Sequence, residues 1–207
     1  PTAPISAAYY YHSTRLLSRA AGVLGYTEDE HYYGYLSDSI AQAFHRKFFL
    51  EDSLNYPGGT QTANLIPLNF SLTPDSLKKI IAANIIKDVT RRGNHPTTGF
   101  LGTNLILPTL SNYGAHQVAY NTAVNTEYPS WGYMVKKGAT SMWELWNSDT
   151  EPPDRMNSRN HFALGSVGEW YFSHLAGLRP VLPGFKKTLI KPMPAEGLTW
   201  VKASHDT

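Results

Sequence analysis

The chain has 207 residues, of which 42% are hydrophobic and 16% are charged, and this balance is typical of a globular protein with a sizeable core. Its net charge is only +2, so neither nucleic acid nor a charged membrane surface is expected as a partner. The sequence has no run of about 18 apolar residues, so we expect no membrane insertion. The absence of cysteine excludes disulfides and thiolate metal sites. It leaves the compartment open, with a periplasmic or secreted location slightly favoured.

Apolar residues recur at helical spacing through the first two-thirds of the chain. The first helix is predicted from about residue 5 to residue 24, and Gly25 ends it. Thr27 and Glu30 fit a capping box, in which each side chain bonds the other residue's backbone amide. They predict a second helix that continues to about Leu50.

More helices follow a loop that contains a Pro-Gly-Gly turn. A shorter helix is predicted over 61–70, and Pro74 begins the next one, which Gly93 ends. Further helices are predicted near 99–112, 115–125 and 129–137. Because no strand interrupts this series, neighbouring helices should pair as antiparallel hairpins.

The pattern changes near the end of the chain. One more helix is predicted from His161 to about Leu175, and Arg179-Pro180 ends it. Short strands are predicted over 185–192 and 198–202. The sequence therefore predicts an all-α fold of helical hairpins with a short β segment at its C-terminal end.

One carboxylate lies between two tryptophans: Glu144 is flanked by Trp143 and Trp146. Apolar faces of sugar rings stack on indoles, and acetal hydrolysis requires positioned carboxyl groups. The pattern therefore indicates a carbohydrate site, although Glu144 taken alone also fits a surface or capping carboxylate. The tryptophans also fit core positions, and their spacing prevents both from facing a site together with Glu144. We expect at least one of them, Trp143 first, to line a pocket.

Asn160 and His161 follow a polar loop, residues 147–159, at the predicted start of the last helix. A helix N-terminus disfavours an imidazolium, so a neutral His161 ring that donates to a sugar hydroxyl is expected. The alternative is a His161 ring bonded to the loop backbone. Asn160 fits a helix cap better than a sugar ligand. Gly165 and Gly168 each cost the helix about 1 kcal/mol relative to alanine, and close helix packing is the expected reason.

Several segments resemble, in the same order, the C-terminal half of the catalytic domain of the α-L-rhamnosidases of glycoside hydrolase family 78. They are AAYY at 7–10, GTQTA at 59–63, TTGFLGT at 97–103, YPSWGY at 128–133, the stretch 138–144 that ends in Trp143-Glu144, and the stretch 160–170 that begins with Asn160-His161. The last two are the specific ones. The resemblance covers about residues 5 to 192.

The resemblance implies a fold and a domain organisation. The family has an (α/α)6 barrel of twelve helices followed by a β-sandwich, whereas about eight helices are predicted here. We therefore expect the C-terminal part of the barrel over 1–178 and the start of a β-sandwich or extension over 179–207. The upstream half of the catalytic domain is then an expected partner of this chain.

The resemblance also implies inverting hydrolysis of terminal α-L-rhamnose from a rhamnose-containing carbohydrate, without a cofactor or metal. Glu144 matches the general base, and Trp143, Trp146, Asn160 and His161 fall where substrate contacts are expected. The family's general acid lies upstream, and no matching acidic segment occurs in this chain. Leu145 replaces an arginine that the family often has next to the base.

These observations also fit two other interpretations. The chain can be a non-catalytic sugar-binding or scaffold fragment, or part of another (α/α)6 exo-glycosidase. If the rhamnosidase reading is right, Glu144 and His161 should lie together at one mouth of the helical array, with loop 147–159 beside them.

Overall fold

The computed structural model describes residues 2–152, 154, 155 and 157–206. These residues form mainly helices, followed by one short two-stranded sheet, so the predicted fold class is confirmed. The chain divides into two compact units, Pro1–Asn84 and Ile85–Thr207.

The first unit begins with two long helices that pack on each other, α1 (Thr2–Leu24) and α2 (Thr27–Phe48). Gly25 ends α1 as predicted, with a left-handed φ of 80°. The Tyr26 amide then bonds the Ala21 carbonyl at 2.9 Å, which closes the end of the helix.

The predicted capping box of α2 is wrong. Thr27 lies within the helix. The N-cap residue is Tyr26, whose side chain makes no hydrogen bond to the first amides of the helix. The first turn instead carries Glu28, Asp29 and Glu30, whose negative charges favour a helix N-terminus.

Two further helices start in the first unit, α3 (Gln61–Asn69) and α4 (Asp75–Arg91), of which α4 continues into the second. Tyr56 lies in the loop before α3 and is fully buried. It bonds both α3 and the segment that leads into α4. The Tyr56 hydroxyl lies 3.1 Å from the Thr73 hydroxyl, and its amide bonds Asn64 Oδ1 at 3.0 Å. Both the amide and the hydroxyl of the buried Tyr56 are therefore paired, as burial of polar groups requires.

The second unit is built on α5 (Phe100–Asn112) and α6 (His116–Val124), which pack on each other, and the short α7 (Trp131–Lys136). Gly132 in α7 is held close to the chain before it. A Cβ atom there would lie 2.4 Å from the carbonyl oxygen of Asn125, so only glycine fits without a shift.

The last helical segment is irregular and starts later than predicted. It begins at Ala163 with a 3-10 turn to Ser166, continues as α8 (Val167–Trp170) and ends in a π-helical turn, Tyr171–Leu175. Close helix packing was the expected reason for Gly165 and Gly168 in this segment, and this prediction is wrong. Among the described residues, nothing lies within 4 Å of a Cβ built on Gly168, and Gly165 meets only the Met142 side chain at 3.8 Å.

The strands also differ from the prediction. Strand β1 (Leu178–Leu182) pairs antiparallel with β2 (Lys187–Ile190). Arg179-Pro180 therefore lies inside a strand, and residues 198–202 form none. None of the helices in the described part of the chain is long and apolar enough to cross a membrane.

Candidate active site around Glu144

Two stretches of the long irregular segment after α7 lie side by side. The His161 amide donates to the Met142 carbonyl at 2.8 Å, and the Glu144 amide donates to the Ser158 carbonyl at 2.9 Å. These bonds close the loop between residues 144 and 158 at its base. The backbones that carry Glu144 and His161 are thereby held next to each other.

The Glu144 carboxylate is fixed by the opposite stretch. Its Oε2 atom accepts a hydrogen bond from the Ser158 amide at 2.7 Å. The residue is half-buried. Within the described residues, no hydrogen bond reaches Oε1, so one carboxylate oxygen is held and the other is available to a ligand or water.

The loop above this closure has its own internal support. Ser148 is almost fully buried, at 1% exposure. Its hydroxyl donates to Asn157 Oδ1 at 2.6 Å, and its carbonyl accepts from Asn157 Nδ2 at 3.2 Å. We call this pair of bonds the Ser148–Asn157 clasp.

His161 is half-buried and lies against aromatic rings. Its ring stacks on Phe100 at 4.8 Å and on Phe162 at 5.2 Å between centroids. Its Nδ1 atom accepts from the Ala163 amide at 3.2 Å. Because a backbone amide can only donate, Nδ1 acts as the acceptor in this bond, and Nε2 is the ring nitrogen that can carry an N–H. In the described part of the chain, that N–H has no partner, so it can serve a ligand oxygen.

Asn160 is exposed and does not cap the last helix, so that prediction is wrong. The helix begins at Ala163, and the free amide of that residue bonds His161 Nδ1 instead. The backbone of Asn160 makes two bonds to the Ser158 hydroxyl, both of 3.1 Å.

The two tryptophans beside Glu144 have different surroundings. Trp143 is 4% exposed and packs in a cluster with Met134 and Leu164. The Arg159 guanidinium lies 5.9 Å from the centre of its ring. Little of the Trp143 surface is therefore open to a sugar, and its role as a substrate contact stays a prediction that rests on the resemblance.

Trp146 is half-buried and is the more accessible of the pair. Its Nε1–H donates to the Thr98 carbonyl at 2.8 Å, and its ring meets Trp131 edge to face at 5.1 Å. Trp131 is a core residue at 5% exposure. Its Nε1–H donates to the Leu164 carbonyl at 2.7 Å.

Two other carboxylates in the loop, Asp149 and Glu151, accept hydrogen bonds from neighbouring side chains. The Tyr133 hydroxyl donates to Asp149 at 2.8 Å, and Lys137 lies 3.7 Å from the same oxygen. This hydrogen bond to Asp149 raises the pKa of the Tyr133 phenol. Glu151 accepts from the Asn147 side chain at 2.7 Å.

Sequence reasoning did not identify Phe100 or the Ser148–Asn157 clasp, although Phe100 lies in the segment TTGFLGT.

Comparison with known proteins identifies the family of this chain. Residues 1–175 match the bacterial alpha-L-rhamnosidase 6 hairpin glycosidase domain, and residues 177–207 match the bacterial alpha-L-rhamnosidase C-terminal domain. An alpha-L-rhamnosidase of Streptomyces avermitilis is 38% identical over 210 residues, covering 99% of this chain and 20% of that protein. One from Formosa agariphila is 36% identical over 207 residues, covering 98% of this chain and 22% of that protein.

Solved structures agree with these matches. The crystal structure of the Streptomyces avermitilis alpha-L-rhamnosidase complexed with L-rhamnose superposes with a TM-score of 0.86 at 38% identity, covering 93% of this chain and 19% of that one. The alpha-L-rhamnosidase from Dictyoglumus thermophilum gives 0.85 at 36% identity, covering 92% and 21%. The chain thus spans about a fifth of the length of these relatives. It belongs to the family of the bacterial alpha-L-rhamnosidase 6 hairpin glycosidase domain.

Proposed function

We propose that this chain is the part of an inverting α-L-rhamnosidase that carries the general base, Glu144. The observation that carries the proposal is the fixed Glu144 carboxylate, which has one oxygen held by the Ser158 amide and the other without a partner among the described residues. The family membership supplies the substrate class, because the relatives are alpha-L-rhamnosidases.

In an inverting mechanism, the base takes a proton from water as the water attacks the anomeric carbon. A second carboxylic acid gives its proton to the leaving oxygen on the opposite face of the sugar, so the two carboxyl groups stand about 6.5–9.5 Å apart. Glu144 is proposed for the first of these roles. The incoming water loses its proton to Glu144, its oxygen bonds the anomeric carbon, and the glycosidic bond breaks.

We propose that His161 binds a sugar hydroxyl. Its Nε2–H is the donor that the Ala163 bond leaves available, and the stacked Phe100 ring keeps the imidazole in one orientation. Trp146 is the better candidate for an apolar contact than Trp143, because it is less buried. Asn160, which is exposed and free of a capping role, is a second candidate for a polar contact.

The general acid is proposed to come from the upstream half of the catalytic domain. In the loop beside Glu144, Asp149 is bonded to Tyr133, and Glu151 is bonded to Asn147. These contacts tie one oxygen of each carboxylate to a neighbouring side chain of the same unit, and we therefore look for the acid outside this loop. The proposed domain organisation is the predicted one, with the catalytic part over 1–178 and a β segment over 179–207.

The test is the Glu144→Gln variant in the full-length enzyme that carries this sequence. The amide keeps the shape of the side chain but cannot take a proton from water, so turnover should fall by about 10²–10⁴-fold while rhamnose binding survives. Glu196→Gln is the matched control, because its side chain is exposed and lies in the same unit, and its turnover should not change.

The stereochemistry gives an independent measurement. Proton NMR of the first-formed sugar should show β-L-rhamnose from an α-linked substrate. Release of the α anomer, or near-normal turnover in Glu144→Gln, would remove Glu144 from the base role.

A further inference from the structure

Loop 144–158 is held by hydrogen bonds both at its two ends and inside it. Its two ends are joined by the reciprocal bonds between Glu144 and Ser158, one from backbone to backbone and one from backbone to carboxylate. Inside it, the buried Ser148 is joined to Asn157 by two bonds. Asn157 immediately precedes Ser158, so the clasp and the carboxylate bond act on adjacent residues.

We propose that the Ser148–Asn157 clasp is a positioning device for Glu144, a role that rests on the proposed function. The clasp fixes the backbone at Asn157 and thereby directs the Ser158 amide at Oε2 of Glu144. The Oε2 atom is then committed to this hydrogen bond, and Oε1 is the oxygen that receives the proton of the attacking water. Asn157 and Ser148 are positioning residues, since they act on the base through Ser158.

The chemistry of the two oxygens supports this division. A carboxylate only accepts hydrogen bonds, and an amide that bonds it at 2.7 Å makes a short, charge-assisted bond. Such a bond fixes the side chain in one rotamer, because the Glu144 backbone is tied to the same residue. A base held in this way keeps its free oxygen in one place while the water approaches, and small errors in that placement can cost about 10²-fold in rate.

The first experiment measures the bond directly in the 207-residue chain by NMR. The Ser158 amide proton should shift as the Glu144 carboxyl is titrated, and Glu144→Gln should abolish the shift. The Asn160 amide is the matched control, because it donates to the Ser158 hydroxyl, which does not titrate in the acid range. A Ser158 amide that stays constant, or that shifts equally in Glu144→Gln, overturns the proposal.

The second experiment measures the consequence in the full-length enzyme. Asn157→Ala removes both bonds to Ser148, so kcat should fall roughly ten- to a hundredfold with KM within about twofold. Thr150→Ala is the matched control, because it removes an exposed hydroxyl in the same loop that bonds the Asn147 carbonyl and takes no part in the clasp. If Asn157→Ala does not fold, Ser148→Ala removes the shorter clasp bond, together with the contacts of that hydroxyl to the Leu145 backbone, and is measured in the same way.

The outcomes separate this proposal from the general-base assignment. An inactive Glu144→Gln enzyme with normal kcat in Asn157→Ala and Ser148→Ala keeps the base and refutes the positioning device. A lower kcat together with a weakened Ser158 amide shift in Asn157→Ala supports it. If Glu144→Gln keeps its turnover, the base role and the positioning role are both wrong, whatever the amide shift shows.

Discussion

Acid should destabilise the second unit through His174, which is 4% exposed. Its ring lies between the Ser173 hydroxyl, 2.7 Å from Nδ1, and Asn112 Oδ1, 3.2 Å from Nε2. Burial lowers the pKa of His174 from 6.5 to about 4, and the nearby charges of Arg179 and His116 act in the same direction. The folded protein therefore favours the neutral ring.

The sign and the size of the effect follow from this shift. Above pH 6.5 the ring is neutral in both folded and unfolded chains, so His174 adds no pH dependence. As the pH falls from 6.5 towards 4, the unfolded chain takes up a proton first, and the free energy of unfolding decreases. The shift corresponds to a loss of at most roughly 3 kcal/mol, and less to the extent that water screens the ring.

Urea unfolding of the chain at a series of pH values between 7.5 and 4 measures this loss. His174→Gln removes the titrating group, so the decrease between pH 6.5 and 4 should become smaller, whatever the variant's stability at pH 7.5. His31→Gln is the control, because His31 is exposed on α2, and it should follow the unmodified chain. If His174→Gln unfolds at all pH values, NMR titration of the His174 ring in the unmodified chain replaces it. An equal decrease in His174→Gln, or a ring that titrates near 6.5, would refute the argument.

Two other predictions concern activity and packing. The isolated 207-residue chain should hydrolyse a nitrophenyl rhamnoside poorly or not at all, because the proposed general acid lies outside it, and turnover comparable with that of a full-length relative would contradict this. Gly132→Ala should destabilise the chain by about 1–3 kcal/mol, since its methyl group meets the Asn125 carbonyl at 2.4 Å. Gly168→Ala, in open space within α8, should instead stabilise it by up to about 1 kcal/mol, and thermal unfolding of the two variants would reveal a wrong order.

The helices could be predicted from the sequence because their apolar residues follow one period and because glycine follows some of them, such as α1 and α4. Gly25 and Gly93 have the left-handed φ values that such ends require, 80° and 70°. The capping box failed because its sequence pattern also fits residues within a first turn. Whether Thr27 lies inside or outside the helix depends on its own backbone angles, which residue type does not determine.

Of the two C-terminal strands, β2 lies within the strand predicted over 185–192, whereas β1 was missed for a different reason. Pro180 was taken as a helix breaker, but in a two-stranded sheet every strand is an edge strand, where proline is tolerated. Such a sheet depends on contacts between residues about ten positions apart. Local propensity does not report these contacts.

The residue types around Glu144 could be predicted from the sequence, but their arrangement could not. Trp143 and Trp146 flank Glu144 in an irregular segment, so no helical or strand period indicates which of them turns inward. Similarly, asparagine is the more usual helix-capping residue, yet the Ala163 amide at the start of the helix bonds His161 and not Asn160. His161 lies closer to Ala163 in the chain. The clasp was missed because serine and asparagine are common in loops and their pairing depends on tertiary structure.

Gly177 has a consequence for how the two matched segments are joined. It is the first residue of the second matched segment, 177–207, and lies two positions after the end of the first, 1–175. It has a φ of 71°, and a Cβ there would overlap the backbone of Lys191. The Lys191 amide bonds the Gly177 carbonyl at 2.8 Å, and the Met193 amide bonds the His174 carbonyl at 3.1 Å. Residues that follow the junction therefore hydrogen-bond back to it, so the junction is not an unconstrained linker. A protein divided just before Gly177 would lose the Met193–His174 bond, and the boundary between the two matched segments falls inside the second compact unit, Ile85–Thr207.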